Sequence, residues 1–212
     1  FVNGSSGIIH ASAPGGTLTV HAGVGGFFDD RTGFTNQGLL KIDAGATLEI
    51  LTDPGVFNNL VDGELYDGRY EVAGTLRIAA TGITTNNADL TLTGAGRIED
   101  TAHANLLTSL DTNLQHFRLQ CGATLTLNQA LSNWGDIVLG GADTLAGGTL
   151  TMPALFGPSD STVTLADSTA QLRLGNGDGF GFAGLISGSG SVAKVGSGTQ
   201  GLLGANTYTG GT

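Results

Sequence analysis

One short phrase recurs along this chain: a glycine or other small residue, then about five positions in which a polar residue, often Thr, alternates with an aliphatic one. It reads Gly16-Thr17-Leu18-Thr19-Val20, Gly45-Ala46-Thr47-Leu48-Glu49-Ile50, Gly74-Thr75-Leu76-Arg77-Ile78 and Gly122-Ala123-Thr124-Leu125-Thr126-Leu127. Further copies are Gly38-Leu39-Leu40-Lys41-Ile42, Gly148-Thr149-Leu150-Thr151-Met152, Thr162-Val163-Thr164-Leu165 and Gln171-Leu172-Arg173-Leu174. Strict alternation between turn-forming residues is the signature of a half-buried strand. Strands this short need neighbours to be stable. A hairpin fold would join them through Asn-Gly or Asp-Gly turns, but Asp62-Gly63, Asp67-Gly68 and Asp178-Gly179 are few and lack flanking strands of matched length. Stacked coils fit better, with Leu, Ile and Val in inward columns, Thr and Ser outside, and Gly or Asn at left-handed corners.

The predicted fold is therefore all-β: an elongated right-handed parallel β-helix, or solenoid. With roughly 20 residues per coil the chain supplies about ten coils, and at about 4.8 Å per coil the rod is about 50 Å long. Helical spacing is confined to Ala102–Leu114, where Leu106, Leu107, Leu110 and Leu114 give either a short helix or a loop with buried leucines. Prolines at 153 and 158 predict a loop or an excursion from the stack around Met152–Asp160.

Composition supports the same reading. Glycine fills 37 of 212 positions and charged residues only 12%, while hydrophobic residues make up 40%. That apolar content argues against disorder, and glycines without a three-residue period, with only 4 prolines, exclude collagen. The formal net charge of −10 and pI near 4.4 disfavour nucleic acid and anionic lipid as partners. No apolar run is long enough to span a bilayer. The single cysteine, Cys121, reads as a small buried apolar residue.

The last thirty residues carry a family resemblance. Gly184-Leu185-Ile186-Ser187-Gly188-Ser189-Gly190-Ser191-Val192-Ala193-Lys194-Val195-Gly196, followed by Gly204-Ala205-Asn206-Thr207-Tyr208-Thr209-Gly210-Gly211-Thr212, resembles the passenger-associated repeat of bacterial autotransporters. It departs from that pattern at Gln200-Gly201, where a bent or bulged strand is expected. Residues 30 to 140 resemble, less specifically, the strand repeats of large bacterial surface proteins and adhesins; Gly68–Ile78 and Ile83–Ile98 carry that similarity. The resemblance implies a secreted, extracellular or cell-surface β-helix, cut from a longer chain at both ends. It is organised as coils of surface-protein type over 1–157, then continuing coils over 158–212 that end in the passenger-associated repeat. Contact with the outer membrane would then run only through a barrel outside this segment.

Candidate chemistry is sparse. The acids Asp29, Asp30, Asp53, Asp62, Glu64, Asp67 and Glu71 cluster in sequence. Polysaccharide-cleaving β-helices place two or three acids on one face of adjacent coils, about 5 to 10 Å apart. Most of these acids nonetheless read as solvated turn residues. Phe27 and Phe28 beside Asp29 and Asp30 form the candidate glycan-facing lip. His10, His21, His103 and His116 lack metal-ligand spacing. The turns Gly140-Gly141-Ala142-Asp143 and Asn176-Gly177-Asp178-Gly179 hold only fragments of a calcium-binding repeat. Asn36, Asn86, Asn87, Asn133 and Asn206 read as corner residues in the left-handed region.

The expectation is a non-enzymatic, stiff adhesive or structural rod, with no catalytic residues, metal or cofactor. It would meet a host or matrix surface, glycans included, and associate end to end. The competing readings are a carbohydrate-active β-helix enzyme (polysaccharide lyase or glycosidase) and a self-assembling extracellular filament subunit.

Overall fold

Alternation puts every second side chain on one face of a strand, so stacked segments gain stability only if that common face is buried. The computed structural model, which describes residues 1–21, 33–51, 57–141 and 146–212, meets this requirement by coiling. The chain is an all-β parallel β-solenoid. Among the described strands every pairing is parallel except one hairpin, Leu60–Val61 with the start of Glu64–Val72.

Three faces make up each coil. The longest stacks Ile8–Ala11, Leu39–Ile42, Glu64–Val72, Thr85–Thr93, His116–Gln120, Asp136–Leu139, Thr162–Leu165 and Leu185–Gly188 in that order. Seven spacings of about 4.8 Å make this column about 34 Å tall. Its inward positions form two aliphatic and aromatic files, Leu40–Tyr70–Leu90–Phe117–Ile137–Val163–Ile186 and Ile42–Val72–Leu92–Leu119–Leu139–Leu165, almost wholly removed from water.

The second face is built in two stacks: Thr17–His21, Thr47–Leu51, Thr75–Ile78 and Arg97–Glu99, then Thr124–Thr126, Thr149–Met152, Gln171–Leu174 and Ser191–Lys194. Between them a single 3-10 turn, Leu106–Ser109, touches both Arg97–Glu99 and Thr124–Thr126. Asn105 caps it by accepting from Leu107 N, and Leu106, Leu107 and Leu110 point into the core. The helical spacing of that segment thus marks buried leucines on one turn.

The third face carries short strands such as Thr112–Asn113, Leu131–Asn133 and Leu155–Phe156, and at its edge a line of carboxamides. Asn86 Nδ2 donates to Asn113 Oδ1 at 2.7 Å, Asn113 Nδ2 to Asn133 Oδ1 at 2.7 Å, and Asn3 Nδ2 to Asn36 Oδ1 at 2.8 Å. Asn36, Asn86, Asn113 and Asn133 are fully buried. The expectation of left-handed corner asparagines is corrected: among the described residues the non-glycine positions at positive φ are Asp62, Asp67, His103 and Cys121. Asparagine is used here because its side chain both donates and accepts, so a member such as Asn113 bonds the coil on either side. Cys121 is likewise not a core residue but half-buried in a turn, with φ +54°.

Leu65 takes the in-register place next to Asn86, and the ladder breaks there. Asn36 Nδ2 and the Tyr70 hydroxyl lie buried beside that break without a well-formed hydrogen bond. Burial pushes the Tyr70 phenol above its ordinary range.

Four further expectations are revised. Coils are not uniform: Tyr70 to Leu90 spans 20 residues, whereas Ile8 to Leu39 spans 31, so the long face holds eight strands rather than ten. The proline segment is not an excursion, because Leu155–Phe156 pairs with Leu131–Ser132 on the third face. Asp62-Gly63 does turn a hairpin, with φ of 51° and 82° at the two positions, as a two-residue turn of the mirror-image type requires. Gln200–Leu202 pairs in plain register with Phe180–Phe182 and carries no bulge. Its glutamine instead imitates a peptide group, accepting from Leu155 N at 2.9 Å and donating to Leu155 O at 2.7 Å. Some glycines serve close approach rather than φ: a Cβ on Gly96 would sit 1.9 Å from Val72 O in the neighbouring coil.

Asn113 is the central member of its ladder, so Asn113→Ala leaves Asn86 Nδ2 and Asn133 Oδ1 buried without their side-chain partners. The expected cost is about 2 to 4 kcal/mol, read as a lower midpoint in denaturant unfolding. Thr126→Ala, on an exposed position of a neighbouring strand, changes stability by less than about 0.5 kcal/mol.

Candidate functional site

A packed prism leaves its outward columns as the place for chemistry, and parallel register decides which side chains share a column. On the long face one outward column reads His10, Lys41, Glu71, Thr91, Arg118, and beside it run Leu39, Arg69, Asp89. Residues far apart in sequence thus converge on an open groove of about 610 Å3, with Thr93 and Gln120 on its border. Arg69 binds Glu71 at 2.5 Å and reaches Asp89 at 3.9 Å, and Arg118 pairs with the other oxygen of Asp89. Asp43, on the rim, is held 2.9 Å from His10. Among the described residues Lys41 has no carboxylate within ion-pair distance.

The second face carries a tighter cluster. The column Thr19–Glu49–Arg77–Glu99 sets Arg77 between two acids, 3.1 Å from Glu49 and 2.7 Å from Glu99. Arg97 and His103 also reach Glu99, at 2.7 Å and 2.9 Å, and the Glu99 side chain is 1% exposed. Burial alone would raise the Glu99 carboxyl; the bonds from Arg97, His103 and Arg77 outweigh it and hold the group at about 2. Every member of the cluster faces a partner of opposite charge, which makes it a clamp between coils with little capacity for a ligand.

The residues singled out from sequence divide clearly. Phe27, Phe28, Asp29 and Asp30 lie outside the described residues, as does Asp53. Asp62 sits in the hairpin turn and Asp67 at the register shift inside strand Glu64–Val72, both at positive φ, and Glu64 accepts from Asn87 Nδ2 at 2.8 Å. Glu71 alone of that series enters the groove. His116 lies 2.8 Å from Asp136, a half-buried pair farther along the face. Among the described residues no three His, Cys, Asp or Glu side chains group as a metal site. Asp178 Oδ1 and Asn176 Oδ1 instead accept from Thr199 N and Ser197 N of the next coil.

Sequence reading missed Arg69, Asp89 and Arg118. Their signal is the charge at an outward position of consecutive strand phrases, and it becomes visible only once the phrases are aligned in register.

Comparison with protein-family models, with curated proteins and with solved structures finds no match for this chain.

Because Glu99 titrates lower folded than unfolded, its carboxylate stabilises the coil stack above about pH 4.5, and that contribution fades as pH falls toward 2. The part at stake is about 3 kcal/mol. Thermal unfolding followed between neutral and acid pH should show the midpoint falling over this window, and Glu99→Gln should remove much of that slope while lowering stability at pH 7.

Proposed function

We propose that this chain is a segment of an exported bacterial surface protein, a stiff β-helical rod that acts by presenting surface rather than by catalysis. The observation that carries the reading is the in-register stack itself, which repeats outward side chains at a fixed pitch along the long face. Such a surface gains avidity from many weak contacts. The passenger-associated phrase at the C-terminal end supports an autotransporter origin, and with it an extracellular location and outer-membrane passage through a barrel elsewhere in the protein. End-to-end association of copies belongs to the same proposal, since an open solenoid edge displays unpaired backbone groups.

A carbohydrate-active enzyme is the second reading. Glu71 and Asp89 favour it by lining one groove from adjacent coils, the arrangement a pair of catalytic carboxyls would need. Both acids are bound by arginines, so neither stands ready as a proton donor.

Beads coated with the chain should attach to surfaces bearing host or matrix material, while reducing-end and ultraviolet assays on polygalacturonate, alginate and neutral glucans show no turnover. Sustained turnover that Glu71→Gln or Asp89→Asn abolishes would replace the rod reading with the enzyme reading.

A further inference from the structure

We infer that the groove on the long face is a recognition site for an acidic polysaccharide, with Lys41 as its specific cation. This rests on the adhesive reading above and names the ligand class that the face would take.

The charge distribution is the first argument. The chain has eight Lys and Arg residues and a formal net charge of −10, yet three of those cations, Lys41, Arg69 and Arg118, line one groove. Glu71 and Asp89 are occupied by the two arginines, and Asp43 is turned to His10. What remains is the Lys41 ammonium, with three donors, together with the N–H groups that two guanidiniums of five donors each do not use on their acids. A carboxylate entering the groove meets charge-assisted donors without displacing an internal ion pair.

The lining is the second argument. Apart from Ile42, whose side chain belongs to the core, and Ala73, the groove is walled by charged, hydroxyl and amide groups: Thr91, Thr93 and Gln120 complete it. A wall of that kind offers hydrogen bonds to hydroxyls and no cavity for apolar or aromatic side chains, so it suits a hydroxylated anion better than a peptide.

Shape is the third. The lining residues come from four consecutive coils, Lys41 to Arg118, so the site is an open trough along the stack. A trough accepts a length of polymer, and each uronate that finds a cation adds to the binding of the next.

The test is binding of polygalacturonate to the chain by calorimetry, with neutral dextran and duplex DNA as comparison polymers. The wild-type chain should bind polygalacturonate, more weakly as salt is raised, and should bind neither dextran nor DNA. Lys41→Thr should weaken binding by about tenfold with the thermal midpoint little changed, because among the described residues Lys41 forms no ion pair and the same column already holds Thr91. Lys41→Arg should restore it. No binding to polygalacturonate, equal binding by Lys41→Thr, or equal binding to DNA would each overturn the inference. If the polymer fails while coated beads still attach to host or matrix material, only the ligand class is lost; if the beads also fail to attach, the adhesive reading falls with it.

Discussion

Parallel, in-register stacking is the constraint on which everything else in this molecule depends. Apart from the Leu60–Val61 hairpin, the described strands pair with strands of the coils before and after them, so no coil can be read or altered alone. The backbone bonds repeat at one level after another, as Leu39 N to Gly7 O and Arg69 N to Gly38 O show. Residues that stack must therefore be alike in polarity, and the inward files stay apolar from Leu40 to Ile186 and from Ile42 to Leu165. Where the chain must bury polarity at a corner, carboxamides solve the problem by pairing with themselves. Where a leucine interrupts them, at Leu65, the neighbouring Asn36 Nδ2 and Tyr70 hydroxyl are left without good partners. A polar column is thus an all-or-nothing device: each member is stabilising only while the next is present.

The same rule acts on charge. Stacking brings outward side chains of successive coils to within about 5 Å, a distance at which like charges repel and opposite ones attract even near water. The outward columns accordingly place unlike neighbours together: Lys41 beside Glu71, Arg69 beside Asp89, Glu49 and Glu99 on either side of Arg77. A chain with only 12% charged residues gathers many of them into these few columns, and the remaining outward positions are largely Thr, Ser and Gln.

What the sequence made legible is what depends on local pattern. Alternation in Gly45–Ile50 or Thr162–Leu165 fixes a strand and its buried face, and repetition of that phrase implies stacking. What it hid is what depends on register between coils, because coil length varies with the turns and insertions that separate the phrases. Without the register, Asn36, Asn86 and Asn133 look like turn residues, and only their vertical alignment shows a ladder. Arg69, Asp89 and Arg118 look like ordinary solvated charges until three coils are superposed. The prolines misled for a related reason. Pro153 and Pro158 flank Leu155–Phe156 without interrupting it, so a two-residue strand fits between residues that each forbid a ladder bond.

The two charged clusters illustrate how function separates from stability in such a fold. Around Glu99 the charges close on one another: a buried carboxylate is met by Arg77, Arg97 and His103, and little is left over for a ligand. Removing any member would leave a buried charge short of a partner, so selection for folding alone suffices to keep the cluster. In the groove, pairing is incomplete. Lys41 occupies an outward position that the stack would tolerate as Thr, as the same column does at Thr91, and among the described residues it closes no ion pair. Beside Glu71 it gains only the attraction of an unclosed pair, while Arg69 and Arg118 are fixed by their acids on the same open trough. Its physical use lies outward, toward whatever anion the face meets.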